Sequence, residues 1–279
     1  MRRVVRSDSV PTFYNRTRVS SSIPGRLLRD GKWFLLPVYG LMRTSDLARE
    51  GIERSGSWRF ADHIYRGRAS GRYLIGTAVD ALLLRLPSAR SFRLRHVFVR
   101  REVERLVSAG ARRVLSVPSG VPRDLAYAAA AVGQRGARFF ALDLDPEPLA
   151  AGEALVGNLA VADAFEMVEA DAFDASRWPE DLDVVVSTGF GEFLDDEQLA
   201  AFYGLSHDSL LPGGVLLTTA QGRHRLSDYL LREIGEIQAR YRTARELRAI
   251  LARAGFPEVR VWADSRRLQT FAIATKRAG

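Results

Sequence analysis

The chain contains no cysteine. Disulfides, thiolate metal sites and a cysteine nucleophile are therefore excluded. Lysine is nearly absent too: of the 41 basic residues, all but Lys32 and Lys276 are arginine. Histidine occurs only at His63, His96, His207 and His224, and no metal site is expected. The longest apolar runs, Leu125–Val132 and Trp33–Tyr39, fall far short of the roughly 20 residues a membrane span needs. No apolar segment follows the basic start at Arg2, Arg3 and Arg6, so no signal peptide is read there. A soluble cytoplasmic protein without a membrane partner is the expectation. There is no internal repeat and no low-complexity tract.

What is present suits a globular protein with a sizeable core: 279 residues, 47% of them hydrophobic and 27% charged. The charge is unevenly spread. Residues 1–110 hold 22 basic and 9 acidic side chains, whereas residues 111–279 hold 19 and 24. This asymmetry points to two parts, 1–108 and 109–279, the first of them basic, mainly helical and facing something anionic.

From residue 111 onward, short β-branched runs alternate with helical stretches, the pattern of a parallel α/β sheet. The strands are expected at Val114–Pro118, Ala137–Asp143, Phe165–Glu169, Leu182–Thr188, Val215–Thr219, Glu258–Trp262 and Thr270–Thr275. Asp145 followed by Pro146 starts one helix, and Asp195 can cap another running to Leu211. Thr243 and Glu246 form a capping box for a helix ending near Gly255. In the first part, Arg72–Leu86 reads as an amphipathic helix broken by Pro87, and Phe98–Val107 as a further helix. Val10–Arg29, rich in serine and arginine, reads as a mobile segment or lid.

Open parallel sheets bind ligands at the carboxyl ends of their strands. The residues there are Pro118–Asp124 after the first strand, Asp143 at the end of the second, Asp171-Ala172 after the third and Thr188–Phe193 after the fourth. A small residue and a glycine at Ser119-Gly120 let the backbone approach a ligand. A nicotinamide dinucleotide is disfavoured, because the loop lacks the G-x-G-x-x-G glycines.

In this order and spacing, with Pro212-Gly-Gly214 before the fifth strand, residues 111–275 resemble the class I S-adenosylmethionine-dependent methyltransferases. The resemblance implies a Rossmann-like, mostly parallel seven-stranded sheet with an antiparallel last strand, and an N-terminal helical lid. It also implies S-adenosylmethionine as cofactor. Asp143 would hold the ribose, Asp171 and Ala172 the adenine, and Ser119 and Gly120 the methionine end. Pro118, Leu144 and Thr188 complete the cofactor side, and Arg123 is placed to meet a carboxylate, the cofactor's or that of Asp124. The chain departs from the family pattern where Ser116 replaces an acidic residue and Pro118 and Pro122 replace glycines.

Within that fold the methyl acceptor would lie above Thr188–Phe193 and near Gln221–His224. Glu192 is the leading base or cation stabiliser, with His224 and Tyr14 as further catalytic candidates. Phe190, Phe193 and Gln221 would line the acceptor site. Arg16, Arg66 and Arg68 would grip an anionic group, since arginine forks bind phosphate or carboxylate bidentately. A small anionic acceptor is the preferred reading, a prenyl diphosphate such as isopentenyl diphosphate its specific form. RNA is the less favoured acceptor, because no Asn/Asp-Pro-Pro-Tyr-type motif follows the fourth strand. Another small-molecule O- or N-methyltransferase, and a methyltransferase-like cyclase or binding module, stay open, as does a homodimer.

Overall fold

Seven apolar runs pair into one sheet in this computed structural model, which describes residues 22–54, 57–133, 136–236 and 239–279. They are β1 (Arg113–Ser116), β2 (Arg138–Asp143), β3 (Phe165–Glu169), β4 (Leu182–Ser187), β5 (Leu210–Gln221), β6 (Glu258–Ala263) and β7 (Gln269–Thr275). Their order is β3-β2-β1-β4-β5-β7-β6. All neighbours are parallel up to β5, and β7 runs antiparallel to both β5 and β6. β3, at the edge, carries Glu166 and Glu169 and has no fully buried residue, whereas the central β4 is valine-rich and buried at all but Asp183. The strand order reverses between β1 and β4, so a ligand crevice is expected at their carboxyl ends.

The helices beside the sheet start and stop where the chain supplies caps. They are α7 (Arg123–Val132), α8 (Pro146–Asn158), α9 (Asp196–Ser209) and α11 (Ala244–Arg253). Asp145 caps α8 through the N–H of Glu147. Asp195 and Gln198 form a reciprocal capping box for α9, as Thr243 and Glu246 do for α11. The apolar side of α7 (Leu125, Ala126, Ala128 and Ala129) packs with Val114, Phe139, Val184 and Val186 of the sheet. Val99, Val103 and Val107 join them from α6 (Pro87–Ser108), spaced four residues apart on one helix face. Each fully buried aliphatic side chain contributes about 1.5–3 kcal/mol.

Two compact units divide the chain. One comprises Leu94–Gly222 and Arg240–Gly279; the other comprises residues 22–93 together with Arg223–Ala239. The division falls at Leu94, inside α6. α10 (Arg225–Glu233), although it follows β5 in the chain, belongs with the N-terminal helices. There Arg26 and Lys32 both bind the Glu233 carboxylate, Lys32 at 2.7 Å. The helices of this unit are α1 (Ser22–Arg29), α2 (Leu36–Met42), α3 (Asp46–Glu53), α4 (Trp58–Arg66) and α5 (Tyr73–Arg85). The stretch expected as a mobile lid thus ends in a helix, α1; residues 10–21 lie outside the described residues. Pro87 starts α6 instead of merely ending α5, because proline fits the first helical position, where its missing N–H costs nothing.

Asp80 ties this unit together. Its buried carboxylate accepts from Ser45 Oγ at 2.6 Å and Leu47 N–H at 2.8 Å on one oxygen. On the other it meets His63 Nε2 at 2.9 Å and Ser70 N–H at 3.2 Å. Glycine is obligatory beside this knot. A Cβ at Gly76 would stand 2.2 Å from the Thr44 carbonyl oxygen, so α5 can approach that backbone only without a side chain. Burial alone would raise the Asp80 carboxyl, but the hydrogen bonds from His63, Ser45 and Leu47 outweigh it and hold it below the ordinary carboxylate value. A carboxyl depressed on folding adds stability above its unfolded pKa, and loses it as pH falls through the depressed folded value. Asp80→Asn should therefore cost about 2–4 kcal/mol at neutral pH and flatten the acid limb of the stability curve. Thermal melting of the full chain across a pH series measures both.

No helix among the described residues is long and apolar enough to cross a membrane.

Candidate active site at the strand ends

The β1–α7 connection begins with Val117-Pro118, a cis peptide, and is pinned to the sheet on both sides. Val117 N–H donates to the Val186 carbonyl at 2.9 Å and Ser119 N–H to the Leu142 carbonyl at 2.8 Å. Gly120 sits at φ 51, the left-handed region that favours glycine. Its N–H points at the end of β2 and donates to Asp143 Oδ2 at 2.7 Å; Asp145 N–H donates to Oδ1 at 3.0 Å. Pro122 then caps α7 against α8, where a Cβ at Gly152 would stand 2.8 Å from the proline ring. The proline that replaces a family glycine is thus accommodated by a glycine on the facing helix.

Each oxygen of Asp143 accepts one backbone N–H and keeps room for a second donor. Burial pushes this carboxyl up, and the N–H groups of Asp145 and Gly120 only partly offset that. The carboxylate, held in place by these N–H groups at the end of β2, keeps free lone pairs that fit a ligand bringing two hydroxyls. Leu144 beside it is 62% exposed, an apolar side chain facing solvent at a strand end. On the neighbouring strand end, after β3, Asp171 accepts from Phe173 N–H at 2.9 Å, and Ala172 is buried. At the start of α7, Asp124 is raised by burial, opposed by the positive charges of His96 and Arg95.

After β4 the chain makes a clamped loop. Glu192 is buried, and Arg95 Nη1 meets its Oε1 at 3.2 Å. The Arg95 guanidinium lies directly on Gly189, where a Cβ would stand 2.8 Å from Nη1. Arg242 holds the same loop from the far side: it bonds the Gly191 carbonyl, the Leu194 carbonyl at 2.6 Å and Asp196 Oδ1 at 2.9 Å. Burial raises the Glu192 carboxyl, against the pull of Arg95 and Arg242. Beneath it, the buried Tyr203 hydroxyl bonds Thr218 Oγ1 at 2.8 Å, and burial pushes the phenol up to about 12.

Comparison with known proteins decides the family. The profile of a family described as "Putative methyltransferase" matches residues 42–276, most of the chain. The chain belongs to this methyltransferase family. No curated protein matches it by sequence. Among solved structures it is similar to one described as a possible exported protein from Bordetella parapertussis. That likeness has 22% identity and a TM-score of 0.78, over 94% of this chain and 98% of the other. It is also similar to an O-methyltransferase family protein from Burkholderia thailandensis, with 17% identity and a TM-score of 0.55 over 94% and 89%. A third is the magnesium protoporphyrin IX methyltransferase of Synechocystis PCC 6803 with bound S-adenosylhomocysteine, at 15% identity and a TM-score of 0.53 over 77% and 93%. These likenesses share the fold, a seven-stranded sheet with surrounding helices.

The structure places the residues expected at the acceptor site as follows. The Phe190 ring is buried, its centroid 5.1 Å from that of Phe202 and 5.9 Å from that of Phe173. His224 caps α10, its Nδ1 2.8 Å from Ser227 Oγ. Arg66 pairs with Asp62 at 3.0 Å, while Arg68 is exposed on the N-terminal unit. Phe193 and Thr188 are half-buried in the loop after β4, and the Gln221 carbonyl accepts Arg242 N–H at 3.1 Å. Arg123 is half-buried at the first turn of α7. Tyr14 and Arg16 lie outside the described residues. Arg95 and Arg242 were not singled out as partners of Glu192. Nothing local in the chain links position 95 to position 192.

Proposed function

We propose that the methyltransferase binds S-adenosylmethionine across the carboxyl ends of β1, β2 and β3 and transfers its methyl group to a small molecule. The observation that carries this reading is Asp143, whose two oxygens are fixed by the N–H groups of Gly120 and Asp145 at the end of β2, with the exposed Leu144 beside it. In this reading Asp143 accepts the two ribose hydroxyls, and Leu144 and Ala172 cover the adenine with Asp171 at its edge. Pro118, Ser119, Gly120 and Arg123 surround the methionine end, and Thr188 closes the site from β4. The cofactor supplies an electrophilic methyl on a sulfonium, so the protein's work is alignment and water exclusion.

For Glu192 we assign positioning instead of proton abstraction. Its carboxylate is buried against Arg95, and the pair fixes the loop on which the acceptor would rest. Glu192→Gln keeps an acceptor oxygen for Arg95. It should lower kcat only a few-fold, leaving the shape of the pH–rate profile unchanged; a general base would cost about 10²–10⁴-fold.

The acceptor we propose is a small molecule bearing an anionic group. Its support is the arginine excess before residue 110; of Arg16, Arg66 and Arg68, Arg66 pairs with Asp62, which leaves Arg16 and Arg68 to grip the group. A prenyl diphosphate such as isopentenyl diphosphate is the specific compound to test. Formation of S-adenosylhomocysteine that depends on this compound, and that pyrophosphate inhibits, would support the choice. Turnover with an uncharged phenol and none with the diphosphate would replace it.

A further inference from the structure

α5 leaves a stripe of large apolar side chains uncovered. At about 100° per residue, Leu74, Ile75, Ala78, Leu82 and Arg85 share one side of the helix, and all are exposed. Leu74 is 90% exposed, Leu82 63% and Ile75 55%, and Tyr73, at the first helical residue, is 84% exposed. The other side carries the buried Gly76, Asp80 and Leu84. Single exposed leucines are ordinary, but a contiguous stripe marks a contact surface.

Charge indicates what the stripe meets. From His63 to Arg101 the only carboxylate in the sequence is Asp80, and it is buried in its hydrogen-bonded knot. Over the same stretch Arg72, Arg85 and Arg90 are exposed. A second copy meeting this face by two-fold symmetry would set those arginines against each other, with no exposed acid on α5 itself to relieve them. An anionic lipid surface satisfies both features: phosphates for the arginines and an acyl boundary for the leucines. We propose that α5 docks flat on an anionic bilayer. Leu74, Ile75 and Leu82 enter the headgroup–acyl boundary, Tyr73 sits at headgroup level, and Arg72, Arg85 and Arg90 lie on lipid phosphates.

Co-sedimentation of the full chain with vesicles of phosphatidylcholine, with and without phosphatidylglycerol, tests this. Binding should appear with phosphatidylglycerol and weaken at least about tenfold as salt rises from about 0.1 to about 0.5 M. Leu74→Asp combined with Ile75→Asp should lose at least about tenfold in binding with an unchanged melting midpoint, as both side chains face solvent. Arg72→Ser combined with Arg85→Ser should remove the preference for the anionic lipid. Absence of binding to the anionic vesicles would overturn the proposal, as would binding that the Leu74 and Ile75 changes leave intact. So would a wild-type dimer that those changes split; the stripe would then be an interface between copies.

Discussion

Arg95→Met should destabilise the protein by about 3–5 kcal/mol, because it leaves Glu192 buried beside an apolar side chain. The double variant Arg95→Met with Glu192→Gln should recover much of that loss, since an amide carries no charge to desolvate. The cost arises from the order of the terms. Burial already pushes the Glu192 carboxyl up, and Arg95 is one of two guanidiniums opposing it. Arg242 alone cannot take over, because its nitrogens are committed to the carbonyls of Gly191 and Leu194 and to Asp196. In the Arg95→Met protein the Glu192 carboxyl moves further up. A carboxyl raised on folding contributes stability below its unfolded pKa and loses it as pH rises through the folded value, so the variant should be least impaired in acid. Urea unfolding of wild type, both singles and the double variant, at neutral and mildly acidic pH, measures the coupling. Additive costs would mean that the pair is not a unit.

Asp143→Ala should weaken S-adenosylhomocysteine binding by at least about 100-fold, the sum of two hydrogen bonds to a charged group at about 1.5–3 kcal/mol each. The substitution also orphans the N–H groups of Gly120 and Asp145, which the carboxylate now holds at 2.7 and 3.0 Å. Asp143→Asn separates the two effects, because it keeps one carbonyl oxygen and stays close in shape. The expected order of affinity is wild type, then Asn, then Ala, with calorimetry at matched pH as the measurement. Equal affinities across the three would place the ribose elsewhere.

Much of the sheet was legible because its signals are local. Phe165–Glu169 is strand over the very residues its pattern marks. β5 was read too short. The expected turn at Pro212-Gly-Gly214 lies within the strand, where pairing with β4 jumps from Leu210 to Val215, so the glycines mark an irregularity and not an end. Long-range relations were not legible. The Arg95–Glu192 pair spans 97 positions, and Arg95 in the sequence looks like any member of a basic surface group. The return of α10 to the N-terminal helices rests on long-range contacts, Leu230 and Ile234 packing with Ile23 and Leu27 and Glu233 pairing with Lys32, which no local pattern announces. Phe190 has the composition of a pocket wall, but aromatic neighbours brought from positions 173 and 202 enclose it.

Methyl transfer at this site requires that the protein hold the methyl donor at the ends of β1–β3. Calorimetric titration of the wild-type chain with S-adenosylhomocysteine is the most direct measurement. Saturable binding at one site per chain in the micromolar range, displaced by S-adenosylmethionine, is the predicted result. A folded protein, verified by its melting transition, that releases no heat with either compound would contradict the account. Asp143 would then be a loop anchor, and the crevice at the switch point would serve another ligand.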